Sequence, residues 1–250
     1  MELVVDDRHP GTDEMTWLGA GRLQGMEPLR PAPARRLVVV APHPDDEILG
    51  AGGLLQQMRQ RAVESVVVAV TDGEGSHPAA HRQGRSVAAE RVVESQVALE
   101  RLGCASVPVV RLGLPDGSVA AQTHDLIDAL IALLGPDDLC VTPWRSDGHP
   151  DHNATGRATL TAARATHTPV LEYLVWAWHW ATPESESVPW RHCRRLDLDR
   201  RQAARKRWAA YAFTSQIRPS DAEERQGPLL SDSVLRRFWR PFEVFIEGER

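Results

Sequence analysis

The sequence predicts an α/β fold: a Rossmann-like, mostly parallel sheet sandwiched by helices. Three observations predict it. From residue 37 onward, strand-like runs alternate with helix-like segments at the spacing of βαβ units. The runs are unbroken stretches of Val, Ile and Leu, which implies burial on both faces, as in a parallel sheet covered by helices. Four polar motifs, HPDD, TDGEG, GLPDG and HPDH, each follow such a run. They therefore gather at the carboxyl ends of the strands, where sheets of this kind hold ligands.

Residues 1–35 are polar and proline-spotted, and end in PLRPAPARR. They read as an N-terminal extension lying over the domain, outside its core. Residues 37–42 (LVVVAP) are strand-like and 50–62 (GAGGLLQQMRQRA) helical. The pattern repeats with 65–73 and 84–102, then with 106–113 and 123–134, then with 138–144 and 153–166. Residues 170–180 (VLEYLVWAWHW) read as a further strand, with Trp176, Trp178 and Trp180 on one face. Core packing explains those indoles better than ligand stacking. Residues 181–250 read as a C-terminal decoration. They comprise a loop, an amphipathic helix (LDRRQAARKRWAAYAF) and an apolar, strand-like tail. The whole chain, 1–250, is expected to be one domain.

Composition bounds the function. The chain has 250 residues, 42% apolar and 25% charged, with net charge -5. That balance gives no overall attraction to nucleic acid. Cys104, Cys140 and Cys193 are sparse and odd in number, which argues against a disulfide scaffold and suits a reducing compartment. No signal-like segment opens the chain and no run approaches the ~20 apolar residues of a membrane span. A soluble, cytoplasmic protein is expected. Its oligomeric state is not fixed by the sequence.

The chemistry sits in two clusters. In HPDD, His43 and Asp46 are three residues apart and can face one point in a turn opening a helix. One imidazole and one carboxylate suit zinc, and His152 of HPDH is the best third ligand. Sites with three protein ligands leave a position open for water and are the catalytic kind. Asp45 then stands free beside the metal as a general base, and His149 is placed to stabilise an oxyanion once protonated. The plain alternative for HPDD is a helix-capping turn.

APHPDDEILGAGG together with HPDHNATGRA resembles the PIG-L/LmbE family of zinc-dependent N-deacetylases over about residues 36–180. The resemblance implies an LmbE-like fold, with His43, Asp46 and His152 as zinc ligands, Asp45 as base and His149 as protonated partner of the tetrahedral intermediate. Iron or cobalt could replace zinc. It implies a small N-acylated amino sugar or its conjugate as substrate; an amidase acting on a larger conjugate is the close alternative. RVVESQVALERLG resembles a family helix whose arginine, here Arg91, reaches the substrate. A surface ion pair between Arg91 and Glu94 would explain it equally well. GLPDG resembles a loop whose aspartate, here Asp116, binds sugar hydroxyls, and reads as well as an ordinary Pro-Asp-Gly turn. Asp147 stands where some relatives carry a tyrosine assisting the oxyanion, so His179 is a candidate for that task. His77 and His81 read as a solvated loop near the site. A rival class, a nucleotide-binding Rossmann protein, has only GAGG in its favour, which is not a GxGxxG cradle.

Overall fold

A computed structural model describes residues 10–76, 86–218 and 228–248. His77 and His81 lie outside that range. Among the described residues, seven strands form one sheet: β1 (Arg36–Ala41), β2 (Glu64–Ala69), β3 (Val109–Arg111), β4 (Asp138–Pro143), β5 (Val170–Tyr173), β6 (Cys193–Asp197) and β7 (Phe242–Glu247). Their order is β3-β2-β1-β4-β5-β7-β6. The first five are parallel, with Val38 opposite Val66 on β2 and Cys140 on β4. β7 runs antiparallel between β5 and β6.

The unbroken apolar strands have the cause inferred from sequence. Along β1, Leu37, Val39 and Ala41 enter one core while Val38 and Val40 enter another, so both faces are dry. The first core is closed by α2 (Asp46–Gln60), α3 (Val87–Leu102) and α7 (Arg200–Ala210). The second lies under α4 (Thr123–Leu133) and α5 (Pro150–Thr166). Strand order reverses between β1 and β4, and a crevice opens at the carboxyl ends of such a pair. The loops after β1 and β4 carry HPDD and HPDH.

Three expectations are corrected. Residues 10–35 are no mere cover: a short helix, α1 (Glu14–Gly19), puts Trp17 fully inside the first core, and Leu23 follows it. The strand expected over 170–180 stops at Tyr173; Ala177–Trp180 is a helical turn, α6, so the three indoles share no strand face. The C-terminal residues are also structural, since β6 and β7 complete the sheet and α7 packs on α2 and α3. Lys206 on α7, the sole lysine, is buried against Glu243 of β7 at 2.6 Å, and that carboxylate also accepts from the Gly53 and Leu54 amides.

GAGG lies inside α2 and serves packing. A Cβ at Gly50 would sit 2.2 Å from the Tyr173 ring, and one at Gly53 would sit 2.4 Å from Leu198. These glycines let α2 approach the sheet closely. They form no phosphate cradle. Among the described residues, no helix is long and apolar enough to cross a membrane.

Candidate metal and catalytic centre

β1 ends at Ala41, and Thr71 from the loop after β2 pins the next turn by donating through both its amide and its hydroxyl to the Pro42 carbonyl. The chain then bends sharply at Asp45, where φ is +136°. Side chains rarely tolerate that region; holding one there costs of order 1–3 kcal/mol. Two buried groups hold it. Glu47 accepts the Asp45 amide at 2.9 Å and is itself bonded by the Ser95 hydroxyl. Arg91 donates to the carbonyls of Pro44 and Gly73 and to Asp45 Oδ2 at 3.0 Å. Asp45 begins α2 yet makes no capping bond through its side chain, so the capping alternative does not describe its carboxylate.

Asp46 turns inward. Its Oδ2 accepts the His43 amide at 3.0 Å and lies 3.4 Å from His43 Nδ1 and 3.2 Å from His152 Nε2. His152 Nδ1 is 2.9 Å from Asp147 Oδ2. A carboxylate only accepts, so that nitrogen carries a proton, while Nε2 faces the negative charge of Asp46. Nε2 is fully buried and has no hydrogen-bond partner. An imidazole nitrogen and a carboxylate facing each other in a dry site are satisfied by a positive charge between them, a proton or a metal ion. With two imidazoles and a carboxylate converging, the residues fit a divalent metal of the zinc type.

The other His43 nitrogen, Nε2, lies 3.1 Å from Asp116 Oδ1 and 3.3 Å from Asp151 Oδ2. Carboxylates in this place commonly orient a metal-binding imidazole. Among the described residues, the groups whose ligand atoms all lie within 4.8 Å of one another are His43, His149 and His152, and His43, Asp116 and Asp151; the triad of His43, Asp46 and His152 is joined through Asp46 Oδ2. Asp116 also accepts the Gly75 amide at 2.8 Å, and Asp151 accepts those of Gly117 and Val119, so the GLPDG loop is tied to the histidines.

These contacts set the charges. Burial opposes protonation of His43, but Asp116, Asp151 and Asp46 outweigh it and raise its pKa well above the ordinary imidazole range. His152 is raised to about 9 against its burial, chiefly by Asp46 and Asp147. Burial would raise Asp46, yet the two histidines hold it well below the usual carboxylate range. Asp45 goes the other way: burial pushes it up to about 7, with Arg91 opposing. His149 is pushed down to about 3 by burial and by the neighbouring His43 and His152. Its Nδ1 accepts the Asp151 amide, which leaves a proton on Nε2 of the neutral ring. Burial and these neighbours oppose the imidazolium expected from sequence, while Nε2–H stays available as a donor in either state.

His43, Asp45, Asp46, Arg91, Asp116 and His149 line one cavity of about 410 Å³. A larger groove, about 890 Å³, runs beside α5 and β5 and touches none of them. Arg91 and Glu94 do not pair as the surface alternative had it. Glu94 instead accepts from Thr214 and Ser215 at the start of α8 (Thr214–Ile217). His179 is buried against Arg237, meets Trp176 edge-to-face with ring centroids 5.9 Å apart, and does not line the cavity. Asp147, Asp151 and Glu47 were missed as site residues. The signal for Asp151 was present in its position between two histidines; the other two are set by contacts distant in sequence.

The family model described as PIG-L: GlcNAc-PI de-N-acetylase matches residues 38–163, half of the chain, including both histidine motifs, Arg91 and Asp116. The chain belongs to the PIG-L family. Curated proteins similar to this PIG-L chain include a probable N-acetyl-alpha-D-glucosaminyl L-malate deacetylase 2 from Bacillus cereus. The two are 31% identical over 138 residues, covering 51% of this chain and 60% of that protein. Another is the 1D-myo-inositol 2-acetamido-2-deoxy-alpha-D-glucopyranoside deacetylase of Rhodococcus erythropolis, 27% identical over 199 residues, with 69% and 66% covered. The PIG-L chain spans between 46% and 68% of the lengths of the curated relatives it matches. The crystal structure of the zinc inhibited form of teicoplanin deacetylase Orf2 shares the fold, with TM-score 0.63, 20% identity and 84% and 97% of the two chains covered.

Proposed function

We propose that this chain is a metal-dependent hydrolase that removes an acetyl, or another N-acyl, group from an amino sugar or its conjugate. One observation carries the reading: Asp45 is held in a strained turn beside a three-donor cluster, outside that cluster, and with a pKa near neutrality. A ligand set does not need this fourth group, whereas hydrolysis does. Family membership and the names of the curated relatives support the same chemistry.

His43, Asp46 and His152 would hold zinc, or iron or cobalt in its place. The ion would supply Lewis acidity toward the amide carbonyl and the attacking water. Asp45 takes a proton from that water, since a carboxyl group with pKa about 7 accepts and returns protons near neutral pH. His149 donates its Nε2–H to the oxyanion that forms as the carbonyl is attacked. Asp45 then delivers its proton to the departing nitrogen, and the C–N bond breaks to give a free amine and a carboxylate.

The test uses chain stripped with a chelator and reloaded with zinc, iron(II) or cobalt(II), and measures amine release from N-acetylglucosamine conjugates. Turnover should require the ion. Asp45→Asn, which suits a left-handed backbone, should keep a full complement of metal and lose at least about 100-fold in kcat. Wild-type turnover in that variant, or turnover indifferent to chelation, would refute the mechanism.

A further inference from the structure

One outer face of the molecule is cationic and aromatic, with no acid to balance it. Along its whole length α7 holds four arginines and one lysine and no acidic residue. Lys206 turns inward to Glu243, whereas the arginines are exposed and pair with no acid among the described residues. Arg201, Arg205 and Trp208 stand at i, i+4 and i+7, so they share one stripe. Two further elements extend it. Arg205 lies over the end of α3, where a Cβ on Gly103 would meet its Nη1 at 2.8 Å. Arg101 of α3 donates to the Trp208 carbonyl at 3.3 Å and sits 5.6 Å from the centre of the indole. Arg59, in the last turn of α2, joins them. Burial pushes the Cys104 thiol up to about 11, and Arg59 and Arg205 are both near enough to oppose it. Asp199, beside this stripe in sequence, caps α7 instead of pairing with its arginines.

Folding does not call for this arrangement. Like charges at i and i+4 repel, and cations in the first turn of a helix, here Arg200 and Arg201, oppose its dipole. Acidic partners were not scarce, since the chain has 34 acidic residues against 29 basic ones. Trp208 is 59% exposed, although an indole gains by burial. Local costs gathered on one face, with no return inside the fold, mark a surface completed from outside. Its residues line neither the catalytic cavity nor the larger groove, so they suit an extended surface better than a small ligand.

We propose that this face docks on an anionic lipid surface. The arginines meet the phosphate plane, and the Trp208 indole sits where headgroups give way to hydrocarbon. A guanidinium grips phosphate through a fork of donors and keeps its charge at every accessible pH. Nucleic acid carries phosphates too, but Arg101 already covers one side of the indole and leaves a single side on which a base could stack. The cavity lies at the other end of α3, since Arg91 and Arg101 are about 15 Å apart along the helix. A docked molecule therefore keeps its catalytic mouth in water, and the contact is independent of the reaction assigned to the cavity.

The experiment sediments the purified full-length chain with vesicles of phosphatidylcholine, alone or mixed with an equal part of phosphatidylglycerol. The chain should follow only the mixed vesicles, and raising the salt from about 0.1 to about 1 M should release it. One arginine near such a surface is worth about fivefold in partitioning, so Arg205→Glu should lose at least that factor. Arg164→Glu, the same change on the exposed side of α5, should lose less than about twofold, which separates position from net charge. Trp208→Ala should bind several-fold more weakly. If Arg205→Glu does not fold, this variant decides, and undiminished binding in it overturns the proposal. Failure of the wild-type chain to follow the mixed vesicles at the lower salt also overturns it, as do equal losses in Arg205→Glu and Arg164→Glu. Retention by duplex DNA without vesicle binding would give the face to nucleic acid and overturn it too.

Discussion

Asp147 does three jobs with one carboxylate. It fixes the tautomer of His152, accepts three successive amides from Val175 to Ala177, and so starts α6 where a strand would otherwise continue. An amide at this position keeps the shape but loses the charge, and its NH2 group cannot accept. Asp147→Asn should weaken metal binding by about 10- to 100-fold, the usual cost of losing a carboxylate behind a ligating histidine. Competition against a chromogenic chelator measures it, and undiminished affinity would mean that Asp147 does not act through His152. The contrast with Asp45 and Asp46 shows what a sequence can display at this scale. His43, Asp45 and Asp46 sit in one short turn, so their spacing alone brings them together. Asp147 acts on a histidine five residues later and on a backbone nearly thirty residues later, and no periodicity marks that. His149 shows a different limit: its position was legible, but its charge state depends on how many positive neighbours burial packs around it.

At the scale of elements, the parallel strands were legible because double burial leaves a chemical trace, an unbroken apolar run. The segment over 170–180 misled for the same reason. Its apolar character reflects burial, and burial does not distinguish a strand from a turn whose amides are taken by a distant carboxylate. The glycines of α2 offer a sharper measurement. At Gly50 a methyl group meets the Tyr173 ring at 2.2 Å, whereas at Gly52 the nearest atoms are 3.5 Å away. Gly50→Ala should cost about 1–3 kcal/mol, as overpacking does. Gly52→Ala should be neutral or stabilise by up to about 1 kcal/mol, because alanine restricts the unfolded chain and favours helix. Urea denaturation of the two variants resolves the difference, and equal effects would show that α2 does not approach the sheet as closely as described.

For the whole molecule, the first core is assembled from both ends of the chain. Trp17 donates its indole N–H to the Trp178 carbonyl at 3.1 Å and meets the Trp178 ring edge-on at 5.1 Å. Arg240 lies over both rings and pairs with Glu14 at 2.6 Å. Trp17→Ala should therefore destabilise the protein by about 3–5 kcal/mol, in the range for deleting a buried indole. A loss below about 1 kcal/mol in chemical denaturation would return residues 10–35 to the role of a loose cover. That role was expected because the segment is polar and proline-spotted, and its few apolar side chains repeat with no helical or strand period.

The position of β7 bears on how the protein is made. On the ribosome, β1 to β5 can pair as they emerge, each new strand meeting one already exposed. Among the described strands, Cys193–Asp197 pairs only with Phe242–Glu247, synthesised some fifty residues later, and until then its backbone is held by Glu27 and Leu29 alone, through Arg195. A nascent chain paused between the two carries an open edge at β5 and a β6 with one edge still unpaired, the condition that invites pairing with another copy.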